Sequence, residues 1–137
     1  IGLDRMFLTV LSNSFHEEEL ENGESRVVLK IPALLAPIKA AILPLTKKDG
    51  MPEKAREIMK SLQIDFNCQY EEKDSIGKRY RRQDAIGTAF CITVDHQTLE
   101  DNTVTFRDRD TMVQERISVE KLHSIIAEKV NIAKYLV

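Results

Sequence analysis

The chain has 137 residues, 42% hydrophobic and 31% charged, with a formal net charge of −2. That composition suits one folded domain with a modest core and excludes an intrinsically disordered segment. The near-neutral balance excludes a polycation that coats duplex phosphates without discrimination, so any nucleic-acid contact must come from local basic patches.

Residues 1–15 carry Leu3, Met6, Phe7, Val10 and Leu11 at helical spacing and predict an N-terminal helix. They lack the basic start and small-residue cleavage site of a signal peptide, and no initiator Met is present, so the chain reads as part of something longer. HEEELENGES, residues 16–25, is acidic and contains a glycine, which predicts a linker. A short extended segment follows at 26–31, and Pro32 and Pro37 frame a rigid approach to the core. Residues 38–43, IKAAIL, read as a buried strand ended by Pro44. KKDG at 47–50 is turn chemistry, and Pro52 suits the first turn of a helix. Met51, Ala55, Ile58, Met59 and Leu62 then share one face, predicting a helix over 51–63. Alternation at 66–70 predicts a second strand. Strand, helix and strand with short connections imply a parallel βαβ unit.

Residues 75–86 carry Ile76, Tyr80, Ala85 and Ile86 as a rough stripe and predict a helix closed by Gly87. Residues 88–94 and 103–106 predict a hairpin over a long polar turn, and 112–119 a further strand. Ser118 is placed to cap a last helix bearing Leu122, Ile125, Ile126 and Val130. The fold class is therefore α/β: a mixed sheet of about five strands with three main helices, plus the N-terminal helix.

A complete active site is not visible. His16, His96 and His123 are scattered away from any Ser or Cys nucleophile pattern, and there is no phosphate-binding glycine loop or dinucleotide fingerprint. Cys68 and Cys91 sit among apolar neighbours, without metal-ligand spacing, and read as buried free thiols in a reducing, cytoplasmic setting. No metal site is expected. No apolar run approaches the roughly 20 residues that span a bilayer, so no membrane partner is expected.

The basic segments carry the chemistry. Lys78-Arg79-Tyr80-Arg81-Arg82 holds four cations in five residues; on a helix, 78, 81 and 82 share a face and 79 leans to another. Asp84 lies behind them, placed to orient an arginine. Arg107-Asp108-Arg109-Asp110 alternates, so both arginines face one side if the strand continues. A solvated helix face and a surface ion-pair ladder are the competing readings of the two clusters.

In order along the chain, SIGKRYRRQDAIG, TAFCITVD and TVTFRDRDT resemble the C-terminal anticodon-binding domain of glycyl-tRNA synthetases of the homodimeric class II type. LAPIKAAILPL resembles that domain's first core strand, and Gly2-Leu3-Asp4-Arg5 resembles the end of class II motif 3. The resemblance implies that residues 1–22 are the tail of a catalytic domain plus linker, and that 23–137 form the anticodon-binding domain. It implies that Gly2 and Arg5 contribute to an ATP site. It also implies that Lys78, Arg79, Arg82, Asp84, His96, Arg107 and Arg109 lie on the tRNA anticodon surface. Lys78, Arg79 and Arg82 would meet phosphates. Histidine at 96 stands where an aromatic could stack on a base, and Arg109 is the candidate base reader, because its fork can pair with base edges. The parent enzyme would join glycine to tRNA(Gly) with ATP and Mg²⁺ as a cytoplasmic homodimer, and this chain alone would be inactive. The anticodon domain of another class II synthetase, and a non-catalytic accessory or dimerisation module of the same fold, remain open at this point.

Overall fold

The fold is described from a computed structural model, for residues 15–19, 25–30 and 35–130. The expected N-terminal helix, with Gly2 and Arg5, lies outside the described residues.

Strand β1 (Phe15–Glu19) pairs antiparallel with β2 (Ser25–Leu29), from Phe15 opposite Leu29 to Glu19 opposite Ser25. This corrects the linker expected over 16–25 at residues 16–19 and 25; residues 20–24 lie outside the described residues. FHEEE has little strand propensity of its own, and its extended state comes from the partner strand, whose Arg26 and Val28 turn inward. The remaining strands are β3 (Ala40–Pro44), β4 (Cys68–Tyr70), β5 (Phe90–Val94), β6 (Thr103–Asp108) and β7 (Gln114–Ser118). They form one mixed sheet in the order β4-β3-β5-β6-β7. β3 pairs in parallel with both β4 and β5, whereas β5–β6 and β6–β7 are antiparallel.

The period of two sends alternate residues to opposite faces. Ala40, Ile42, Phe90, Ile92, Val94, Val104 and Phe106 meet α1 (Met51–Gln63) and α4 (Leu122–Lys129) through Met51, Ala55, Ile58, Leu62, Leu122 and Ile126. Ala41, Leu43 and Cys91 face the other way, against Ile76 and Tyr80 of α2 (Ile76–Ile86). β3 and β5 are thus covered on both sides, and all five residues of each are buried.

The expected strands and helices at 38–43, 51–63, 75–86, 88–94 and 103–106 are present, with small shifts at their ends. Two expectations need correction. The polar turn after β5 holds a short helix, α3 (His96–Asp101). Asp95 accepts from Thr98 N, Thr98 Oγ1 accepts from Asp95 N, and Asn102 closes the helix in the left-handed region. Reciprocal caps supply the bonds that so short a helix cannot make within itself. Ser118 makes no side-chain cap: a 3₁₀ turn, Val119–Lys121, intervenes, and α4 starts at Leu122.

Candidate nucleic-acid interface

The basic residues singled out in the sequence divide into two groups. The first is buried between α2, the main sheet and the β1–β2 pair. Arg107 lies opposite Cys91 on the face of the sheet that packs against α2, and is 3% exposed. Its Nη1 and Nη2 donate to Oδ1 and Oδ2 of Asp84 at 2.8 and 3.1 Å, and its guanidinium lies 4.7 Å from the Tyr80 ring centroid. Burial works against its charge, but the Asp84 carboxylate more than offsets this and raises its pKa. Asp84 also accepts from Arg26 Nη1 at 3.1 Å, and Arg26 reaches the carbonyl of Arg109 at 2.8 Å. Glu18 on β1 takes Arg26 Nε and Nη2 at 2.9 and 2.6 Å. Arg109 is itself buried: Nη1 donates to the Gly87 carbonyl at 2.8 Å and Nε to Asp110 Oδ1 at 3.0 Å. Arg107 and Arg109 do share a side, as the alternation requires, but that side faces the protein. In this arrangement the Arg107 and Arg109 forks tie the sheet to α2 and the Gly87 turn that closes it, Arg26 ties β2 to both, and neither Arg107 nor Arg109 is presented to solvent.

The second group surrounds the C-terminal ends of the parallel strands. Leu45 N donates to Val94 O and Glu71 N to Ile42 O, so the segments leaving β3, β4 and β5 start side by side. Lys47 and Lys48 follow β3, Lys73 follows β4, and Lys78 sits in the first turn of α2. All four are exposed, and none forms an ion pair among the described residues. His96 opens α3 beside them, 64% exposed at its side chain, with Nδ1 4.0 Å from Asp49 Oδ2. The N-termini of α1, α2 and α3 all point to this edge, adding partial positive charge. In open α/β sheets ligands bind outside the carboxyl ends of the parallel strands.

Arg82 stands between the groups. It is exposed, and it pairs with Glu71 and with Asp74, the latter at 2.7 Å. Arg79, expected to meet phosphate, is instead buried against backbone carbonyls. Sequence reading missed Lys47, Lys48 and Lys73, because KKDG read simply as a turn and residues 71–74 carried no motif. The available signal was their position directly after two parallel strands. It also missed Arg26, whose burial no local pattern announces. Among the described residues no group of three or more His, Cys, Asp or Glu could hold a metal, and no helix is long and apolar enough to cross a membrane.

A profile of the anticodon binding domain matches residues 39–129, from the residue before β3 to the end of α4. The chain belongs to the anticodon binding domain family. Among similar proteins, a glycine–tRNA ligase of Clostridium tetani is 54% identical over 130 residues, spanning 95% of this chain and 28% of that protein. One from Chlorobaculum tepidum is 52% identical over 128 residues, 93% of this chain and 27% of its own length. This anticodon binding domain chain thus spans little more than a quarter of those relatives. The solved RNA binding domain of threonyl-tRNA synthetase from Cryptosporidium parvum Iowa II is similar with a TM-score of 0.67. That likeness covers 73% of this chain and 25% of that one, at 22% identity, and shows the shared fold alone.

Proposed function

We propose that this chain is the anticodon-recognising part of a glycine–tRNA ligase. The observation that carries the proposal is identity near one half across almost the whole chain to ligases of that name, through the family's core. The parent enzyme ligates glycine to tRNA(Gly) with ATP and Mg²⁺, as a cytoplasmic homodimer. Residues 1–22 form the tail of its catalytic domain, where Gly2 and Arg5 serve the ATP site, and 23–137 form the anticodon-binding domain.

The tRNA anticodon arm lies across the C-terminal edge of the parallel strands. Lys78, with Lys47, Lys48 and Lys73, supplies phosphate contacts as exposed point charges. His96 stacks on an unpaired base. Arg82 joins by exchanging Glu71 or Asp74 for a phosphate. Asp84, Arg107 and Arg109 act behind this surface by fixing α2, and with it Lys78.

Glycine anticodons carry cytosines at their second and third positions, which defines the test. A tRNA(Gly) transcript should bind the chain more tightly than one with those cytosines changed, and the difference should shrink when His96 is replaced by Ala. Equal binding of both transcripts overturns anticodon recognition. In the same preparations glycine-dependent pyrophosphate exchange should be absent; its presence would overturn the assignment of chemistry to the rest of the parent enzyme.

A further inference from the structure

Arg79 lies in the first turn of α2 within a run of cations, yet it is 2% exposed. Its Nη1 donates to the Pro44 carbonyl at 2.6 Å and the Glu71 carbonyl at 3.1 Å, and its Nη2 to the Leu45 carbonyl at 3.4 Å. Pro44 ends β3, and Glu71 is the first residue after β4. One planar fork therefore ties together the exits of two adjacent parallel strands. Among the described residues no other side chain is hydrogen-bonded to both exits. Arg79 Nε is buried without a hydrogen-bond partner, an unfavourable arrangement that the three carbonyl bonds offset.

The two exits have the same build. Lys48-Asp49 follows β3 and Lys73-Asp74 follows β4, and both aspartates are left-handed, at φ 61° and 71°. Non-glycine residues hold this conformation where the surroundings impose it. Arg82 secures the second exit, donating to Asp74 Oδ2 at 2.7 Å and the Lys73 carbonyl at 2.8 Å. The first exit has Arg79.

We propose that Arg79 is a positioning residue that sets the phosphate-binding lysines of both exits, and is not itself a phosphate contact. The proposal rests on the anticodon-arm reading above. A lysine is a mobile point charge, so its contact with a phosphate depends on how firmly its backbone is held. Losing one direct contact lowers the slope of log K against log salt by about 0.7 to 0.9. Losing the fork loosens Lys47, Lys48 and Lys73 together.

The test is the salt dependence of tRNA(Gly) transcript binding to four chains: unsubstituted, Arg79→Met, a Lys47→Ala/Lys48→Ala/Lys73→Ala triple variant, and both sets combined. Arg79→Met should weaken binding at least tenfold and lower the slope by more than one unit. In its background the triple lysine variant should cost much less than it does alone. Amide hydrogen exchange should quicken at 45–50 and 71–75 while β5 stays protected. A slope reduced by one unit or less with additive losses would overturn the proposal in favour of a direct contact or a purely structural role, and so would unchanged binding. If Arg79→Met does not fold, Arg79→Lys replaces it. Lysine keeps the charge but not the fork, so a smaller slope loss with weakened coupling is expected, and the unsubstituted slope overturns the proposal. If the unsubstituted chain binds no RNA, the anticodon reading falls and this inference with it. Normal binding with a direct-contact pattern removes the inference alone.

Discussion

The buried arginines and the exposed lysines carry the same charge and meet opposite fates. Arg26, Arg79, Arg107 and Arg109 are all buried, and their bonded donors go to Asp84, Glu18, Asp110 and backbone carbonyls. Lys47, Lys48, Lys73 and Lys78 are exposed. The difference follows from the side chains. A guanidinium offers five donors in a rigid plane and is weakly hydrated, so it can be taken from water if carboxylates and carbonyls line its rim. An ammonium is a strongly hydrated point charge and stays outside, where a partner can reach it. A basic run in a sequence therefore holds two kinds of residue, those that build a surface and those that are the surface.

The largest effect that would test this contrast is removal of Asp84, the buried carboxylate that meets Arg26, Arg107 and, at 3.9 Å, Arg81. Asp84→Asn leaves Arg107 and Arg26 without their buried counter-ion and should cost about 3–5 kcal/mol in denaturant unfolding. A cost below about 1 kcal/mol would mean that solvent reaches this cluster, and the contrast would fail. Arg109→Lys comes next. It gives up the bond to the Gly87 carbonyl and leaves that carbonyl unpaired, at about 1–3 kcal/mol. Its preference for anticodon cytosines should survive, because the guanidinium faces the protein. Loss of that preference with stability unchanged would restore Arg109 as a base reader.

A half-exposed ion pair should fall between these extremes. Asp95 accepts from Arg116 Nη1 and Nη2, both at 2.7 Å, which pulls its pKa from 3.8 down to about 2 despite some desolvation. A depressed carboxylate pKa stabilises the fold above the unfolded value, and the gain disappears as pH falls through the folded value. The window is thus pH 4 to 2, and solvent screening of this exposed pair holds the contribution to about 1 kcal/mol or less. Asp95→Asn keeps a capping oxygen for α3 but loses the charge, so its stability should converge with that of the unsubstituted chain as pH falls toward 2. Parallel curves would remove the pair's contribution. The smallest stability effect belongs to the exposed set: Lys78→Ala should change unfolding by less than about 0.5 kcal/mol. The same substitution should lower the salt slope of tRNA binding by slightly less than one unit. A large stability loss would place Lys78 among the builders.

Much of the sheet was legible in the sequence. AAIL at 40–43 and AFCI at 89–92 are continuous apolar runs because β3 and β5 are covered on both faces, and the stripe Met51, Ala55, Ile58 and Leu62 exists because α1 has one buried face. Such patterns are local consequences of burial, so they survive in a one-dimensional string. β1 and α3 were hidden because neither owes its state to apolar patterning: one is held by its partner strand and the other by its caps. The capping signature Asp95-x-x-Thr98 was present in the sequence, but the polar turn masked it.

The sequence by itself determined the order of the main sheet's strands and of the three main helices, the two covered faces of the central strands, the pair of basic segments and the family. Only the tertiary structure decided which cation does what. Arg79 and Lys78 are neighbours in sequence, yet the rotation of α2 turns one toward the exits of β3 and β4 and leaves the other in water. Arg26 and Asp84 are 58 residues apart and meet only because β2 lies against α2. Burial of a charge depends on what closes over it from elsewhere in the chain, and a single segment carries no record of that.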